Sequence, residues 1–285
     1  MILAAILLAA AIDSTHGEMQ RYKVATPEYH HPERSVRVYL PASYRRPESA
    51  LRRYPLVLLL HGWPGSDKDW VKKGDADKTA DSLMARGRMP EAILVFPDGR
   101  GRGRLGRSLY LDAVDGKSPV ETWLVTGLIA WVDSTFRTIH DARHRGVIGL
   151  SDGGLAAFNL ALRHPDVFGA AGAHSAAFHL KHPFGVHSLL GDGPPGLELL
   201  ERHSPLIYIT DEQAAGRRVT LYFDCGVKDP DLPDNRAMNA RLDSLAIAHT
   251  YHEFPGGHGW GYWRTHLVTS LETVTAGMRD TVSGP

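Results

Sequence analysis

Gly149-Leu150-Ser151-Asp152-Gly153, followed by Gly154, sets a serine between glycines at two-residue spacing. That spacing suits a sharp turn from a strand into a helix, where bulkier neighbours would clash and the hydroxyl is lifted to the N-terminal end of the helix. An apolar run, Gly146 to Leu150, leads into the turn, and a small-residue segment, Asp152 to Arg163, leads out and stops at His164-Pro165. The glycine spacing is not that of a dinucleotide-binding loop. The chemistry this suggests is nucleophilic attack by Ser151.

A serine hydroxyl needs a base. The chain has 16 histidines, and His258 stands apart because Gly256, Gly257 and Gly259 frame it just beyond a short strand-like run, Tyr251 to Phe254. The imidazole needs a carboxylate on its other nitrogen. Asp224 to Asp231 follows another strand-like run, where the chain order serine, acid, histidine requires the acid. Asp229 is the first choice and Asp231 the alternative, while Asp224 lies early enough to cap the turn instead. Two backbone N–H groups must face the developing oxyanion. The amide of Asp152 is one candidate. The other is the amide of Trp63, just after Leu58-Leu59-Leu60-His61-Gly62.

These residues resemble the esterase D, or putative esterase, branch of the α/β hydrolases, which includes feruloyl esterases, S-formylglutathione hydrolases, enterochelin esterases and mycolyltransferases. The resemblance rests on residues 58–62 with Trp70, Phe96-Pro97-Asp98-Gly99, Tyr110 with Asp112, residues 149–154, and Ala161 to Pro165. It continues through Ser204-Pro205-Leu206, Asp224-Cys225-Gly226, Asp229 and residues 254–258, and covers the chain from about Arg34 onward. It implies an α/β-hydrolase fold with a central, mostly parallel eight-stranded sheet flanked by helices. It also implies acyl-enzyme chemistry on carboxylic esters with no cofactor or metal, and supports Asp229 as the acid. Many members of the branch carry Met where this chain has Asp152, so a carboxylate is added beside the site.

The elements that must position these groups alternate along the chain as in one α/β layer structure. Pro55 to Leu60 and Ala92 to Phe96 read as buried strands, and Ser35 to Leu40, with alternating Val36, Val38 and Leu40, as a half-exposed edge strand. Val120 to Phe136 has helical apolar spacing. Further segments expected are a strand at Phe168 to Ala173, a strand at Val219 to Phe223, a helix at Asn235 to Ala248 and a closing helix from Trp260. Ser175 to Arg217 reads as an irregular cap insertion. Residues 17–285 are expected to form a single domain.

Lys and Arg together number 32, as do Asp and Glu, so the formal net charge is zero and no nucleic-acid partner is expected. The single Cys225 reads as a small buried residue. Met1 to Ile12 is apolar but too short to span a bilayer; with no basic residue before it, it still reads as the core of a signal peptide within residues 1–16, and export is expected without stable membrane insertion. The glycine-alternating Arg100, Arg102 and Arg104 are expected to border the cleft and bind an anionic group of the substrate, with Trp260 and also Trp63 and Trp70 as pocket candidates. His174, His179, His182 and His187 in the insertion, and the His30-His31 pair, read as a polar cap near the cleft rather than metal ligands. Three function classes are open: an ester hydrolase on small, aryl or sugar-linked esters, an acyltransferase with the same triad, and a non-catalytic binding module.

Overall fold

The computed structural model describes residues 16–26, 32–103, 105–181, 184–191, 194–210 and 219–279. Eight strands form one sheet in the order β1-β2-β4-β3-β5-β6-β7-β8. They are β1 (Glu18–Ala25), β2 (Glu33–Leu40), β3 (Leu56–Leu60), β4 (Ile93–Pro97), β5 (Arg145–Leu150), β6 (Ala170–His174), β7 (Thr220–Gly226) and β8 (Thr250–Phe254). β1 pairs antiparallel with β2 and β2 antiparallel with β4; all pairings from β4 to β8 are parallel.

Side chains alternate across a strand, so a sheet with helices on both faces must be apolar at every position. β3 and β4 meet this demand, as does β5 from Gly146 on, and all three are buried throughout. Leu56, Leu58, Leu60, Ile93, Val95 and Val147 pack with Trp123, Phe158 and Met238 on one face. Val57, Leu59, Leu94, Phe96, Ile148 and Leu150 pack with Ala80, Leu83, Leu267 and Leu271 on the other. The first face is covered by the helices Asp152–Arg163 and Leu232–Ser244, the second by Ala76–Ala85 and Trp260–Thr275. β6 runs Ala-Ala-Gly-Ala-His, and on the second face space is short: a Cβ on Gly172 would lie 3.1 Å from Ile148 and 3.2 Å from Val274.

Three expectations are corrected. The 35–40 segment is not an edge and not half exposed: β1 covers it, and Val36 and Val38 are fully buried. β1 carries the polar sequence Glu-Met-Gln-Arg-Tyr-Lys-Val-Ala, whose weak alternation hid it. The 120–136 helix is continuous but wound as a π-helix over Trp123–Leu128, between Val120–Thr122 and Ile129–Thr135. The insertion is not wholly irregular. It holds short helices at His187–Leu190, Pro194–Arg202 and Pro205–Tyr208, and packs Leu189, Leu199 and Leu200 against Leu109, Leu111 and Leu155. Its frequent Pro and Gly break the apolar period that would have revealed them. No helix among the described residues is long and apolar enough to cross a membrane. The Met1 to Ile12 run lies outside the described residues.

Candidate active site

Ser151 sits between the end of β5 and the start of the Asp152–Arg163 helix with φ 53° and ψ −122°. A non-glycine residue in this region is strained by about 1–3 kcal/mol and needs its surroundings to hold it. Its N–H donates to the His174 carbonyl at 2.8 Å, and the amides of Gly154 and Leu155 donate to its carbonyl at 2.9 and 3.1 Å. The flanking glycines permit a close approach: a Cβ on Gly149 would lie 2.0 Å from the Gly153 carbonyl oxygen, and one on Gly153 would lie 2.5 Å from that of Leu60.

His258 lies in the loop between β8 and the Trp260–Thr275 helix. Its Nε2 is 3.0 Å from Ser151 Oγ. Its Nδ1 is 3.0 and 3.1 Å from the two carboxylate oxygens of Asp229 and 3.6 Å from Oδ2 of Asp231. The edge of Trp263 closes one side, with ring centroids 5.0 Å apart. Asp229 is placed by the turn after β7, where Gly226 lets the two loops abut; a Cβ there would lie 2.6 Å from the Gly256 carbonyl oxygen. Burial works against ionisation of Asp229. Hydrogen bonds from His258, the Asp231 amide and Ser175 outweigh it and hold the carboxyl below the usual range. Asp231 is the opposite case: burial and the neighbouring charges of Asp229, Asp234 and Asp152 outweigh the attraction of His258 and push it up to about 6. Burial also opposes charge on His258, but the hydrogen bond and charge of Asp229, then the charges of Asp231 and Asp152, raise its basicity above that of free histidine. Asp229, Asp231 and His258 are also the one trio among the described residues close enough to share a metal ion.

The loop after β3 passes close to the nucleophile: a Cβ on Gly62 would lie 3.1 Å from Ser151 Cβ. Neither the amide of Trp63 nor that of Asp152 donates to a carbonyl among the described residues. The carboxylate of Asp152 does have a partner, which the sequence reading missed. Arg107 binds it through Nε and Nη2, both at 2.7 Å. A carboxylate nearly buried at such a turn demands a compensating cation, and that demand was the available signal.

A family model described as "putative esterase" matches residues 28–274. The chain belongs to that family. An esterase of Mycobacterium tuberculosis is 29% identical over 251 residues, which are 78% of this chain and 52% of that protein. A Xylanibacter ruminicola protein named endo-1,4-beta-xylanase/feruloyl esterase is 31% identical over 150 residues, 51% of this chain and 20% of its own length. The chain thus spans about half, or less, of these curated relatives. Among solved structures, a ferulic acid esterase superposes with TM-score 0.83 at 26% identity, covering 93% of this chain and 99% of its own. A serine hydrolase of Staphylococcus aureus superposes with TM-score 0.75 at 18% identity, 93% and 100% covered, which speaks to the α/β-hydrolase fold alone.

The remaining expectations for this esterase-family chain fare unevenly. Arg100 is held by Asp98 through Nε at 2.9 Å and Nη2 at 2.6 Å, and Arg102 by Asp115 at 2.5 Å. Both guanidinium groups thus pair with carboxylates of the chain, and Arg100 also lines a cleft. Arg104 lies outside the described residues. Trp70 is core, its indole N–H donating to the Leu60 carbonyl at 2.9 Å, and Trp260 packs edge-on against it at 5.5 Å. Trp63, in contrast, lines a cleft of about 540 Å³ with Leu105, Arg34, Asp67 and Arg100. Cys225 is buried. His174 belongs to no cap: it ends β6, fully buried, between Asp224 at 3.0 Å and Ser270 at 2.9 Å. His30, His31 and His182 lie outside the described residues.

Proposed function

We propose that this chain is a serine carboxylic-ester hydrolase with Ser151 as nucleophile, His258 as general base and Asp229 as the orienting acid. The observation that carries the reading is the unbroken hydrogen-bonded line from Ser151 Oγ through His258 to Asp229, with the serine on a strained turn. Ser151 gives its proton to Nε2 as Oγ attacks the ester carbonyl carbon. Asp229 stabilises the imidazolium that forms. The carbonyl oxygen becomes an oxyanion between the amides of Trp63 and Asp152. Collapse breaks the ester C–O bond, and His258 returns the proton to the leaving alcohol. Water then repeats the sequence on the acyl-enzyme and frees the acid and the serine.

Asp229 is preferred to Asp231 because its two oxygens share the Nδ1 proton at 3.0 and 3.1 Å and it is the more buried acid. The substrate class is an aryl or sugar-linked ester. Exposed Leu105 and Phe184, with half-buried Trp63, offer apolar surface next to a polar cleft, and relatives named as feruloyl esterases support it. Export through the Met1 to Ile12 segment is part of the same reading.

The test is turnover of aryl acetate, butyrate, octanoate, feruloyl and thioester substrates, with Ser151→Ala as control and product analysis in the presence of added sugar acceptors. Feruloyl or acetyl turnover lost in Ser151→Ala supports the proposal. Acyl transfer to the sugar in preference to water would make the chain an acyltransferase. Failure of Ser151 to label with a fluorophosphonate would leave a binding module.

A further inference from the structure

Arg107 makes more contacts around the site than any charge balance requires. It grips Asp152, the residue after the nucleophile, by two parallel 2.7 Å hydrogen bonds. Its guanidinium carbon lies 5.1 Å over the ring of Trp63, and Nη1 donates to the Phe184 carbonyl at 2.7 Å. Its own loop also holds the Trp63 indole N–H, which donates to the Leu105 carbonyl at 2.7 Å. Phe184 in turn meets Trp63 edge-on at 6.1 Å. The side chains of Arg107 and Asp152 are 16% and 10% exposed, so water screens the pair weakly.

We propose that Arg107 is a positioning residue of the reaction: it fixes Trp63 and Asp152, the two residues whose amides face the oxyanion, and cancels the carboxylate that Asp152 brings to that spot. The proposal rests on the acyl-enzyme reading above. Negative charge grows on the substrate oxygen during attack, and an uncompensated carboxylate one residue from the nucleophile opposes it. The same carboxylate favours the imidazolium form of His258, which cannot accept the serine proton. The charged groups that face His258 are Asp229 and Asp231 from the loop after β7, and Asp152 from the elbow with Arg107 behind it. A planar fork on an aromatic ring is work for arginine and not for lysine.

The experiment measures kcat, KM and the pH profile of kcat/KM on an aryl acetate for Arg107→Gln, Arg107→Lys, Asp152→Asn and the double Arg107→Gln/Asp152→Asn, with thermal melting of each. Arg107→Gln should lower kcat about 10- to 100-fold, change KM less, and move the acid limb to higher pH. Asp152→Asn, which leaves Arg107 uncancelled, should move that limb to lower pH. The double variant should return it to the wild-type position. Arg107→Lys should keep the limb near wild type but recover only part of kcat. Acid limbs that do not move in opposite directions overturn the proposal, as does a folded Arg107→Gln enzyme with wild-type kcat. If Arg107→Gln does not fold, the direction of the Asp152→Asn shift decides. A wild-type protein whose Ser151 does not react with a fluorophosphonate would instead overturn the acyl-enzyme reading itself.

Discussion

Two carboxylates share one face of the His258 imidazole, and they are not equivalent. Asp229 is the buried one that holds both distances near 3.0 Å, and Asp231 stands off at 3.6 Å. Ser151→Ala or His258→Ala should therefore cost about 10⁶-fold in kcat and Asp229→Ala about 10⁴-fold, with the Ser151→Ala/His258→Ala double little worse than either single. Steady-state assays of Asp231→Ala supply the contrast: a mild loss is expected, and a crippling one would reassign the acid. The pH profile follows from the same charges. His258 must be neutral to act, and its neighbours raise its basicity, so activity should rise with pH through a value above that of free histidine. Asp231→Asn removes one of those charges and should shift the rise to lower pH. Because the folded carboxyl of Asp231 is pushed up to about 6, its ionisation opposes folding as pH climbs past its unfolded value. Thermal melts of Asp231→Asn should gain at pH 8 relative to wild type and gain little near pH 4. At this scale the sequence was informative where chemistry is tied to chain order and glycine framing, as for Ser151, Asp229 and His258. Arg107 was invisible as a partner because only folding brings it across 45 residues to Asp152.

The elbow is a problem of helix, strand and turn fitting together. Adding one methyl group at Gly149 or Gly153 would drive a carbon to 2.0 or 2.5 Å from backbone oxygen, and backbone cannot rotate out of the way. Gly149→Ala or Gly153→Ala should each lose about 3 kcal/mol or more in urea unfolding, with activity falling alongside. A Gly154→Ala variant meets its neighbours only at 3.2 Å and should be milder. The buried parallel strands were readable because a strand covered on both faces has no polar alternate. β1 was not, since half its residues face solvent and its few apolar ones, Met19, Tyr22, Val24 and Ala25, form no long run. The ion pairs of the loop arginines were hidden for a related reason. Alternation of Arg with Gly resembles a free basic loop, yet Asp98 and Asp115, close in space, take up Arg100 and Arg102. Sequence shows how many charges a loop has, but pairing depends on what faces it.

At the scale of the molecule, the six parallel strands and their helices form the scaffold, while Arg107 and Phe184, on segments between strands, build around Asp152 and Trp63. β1 stands outside both. It zips along all eight residues of β2 by antiparallel pairing, and the chain just before it is pinned where the Gly17 N–H donates to Asp81 at 2.9 Å. Its removal would leave β2 with a bare row of peptide groups, flat and backed by the fully buried Val36 and Val38. Such a row is a template for a second copy of the same chain. A protein beginning at Thr26 should therefore keep Ser151, Asp229 and His258 intact yet assemble into soluble oligomers or precipitate, which light scattering against the protein beginning at His16 would reveal. Any cut into this end of the chain thus works under a limit: past Gly17, each residue removed unfastens the guard strand, and the molecule should become sticky before it becomes inactive.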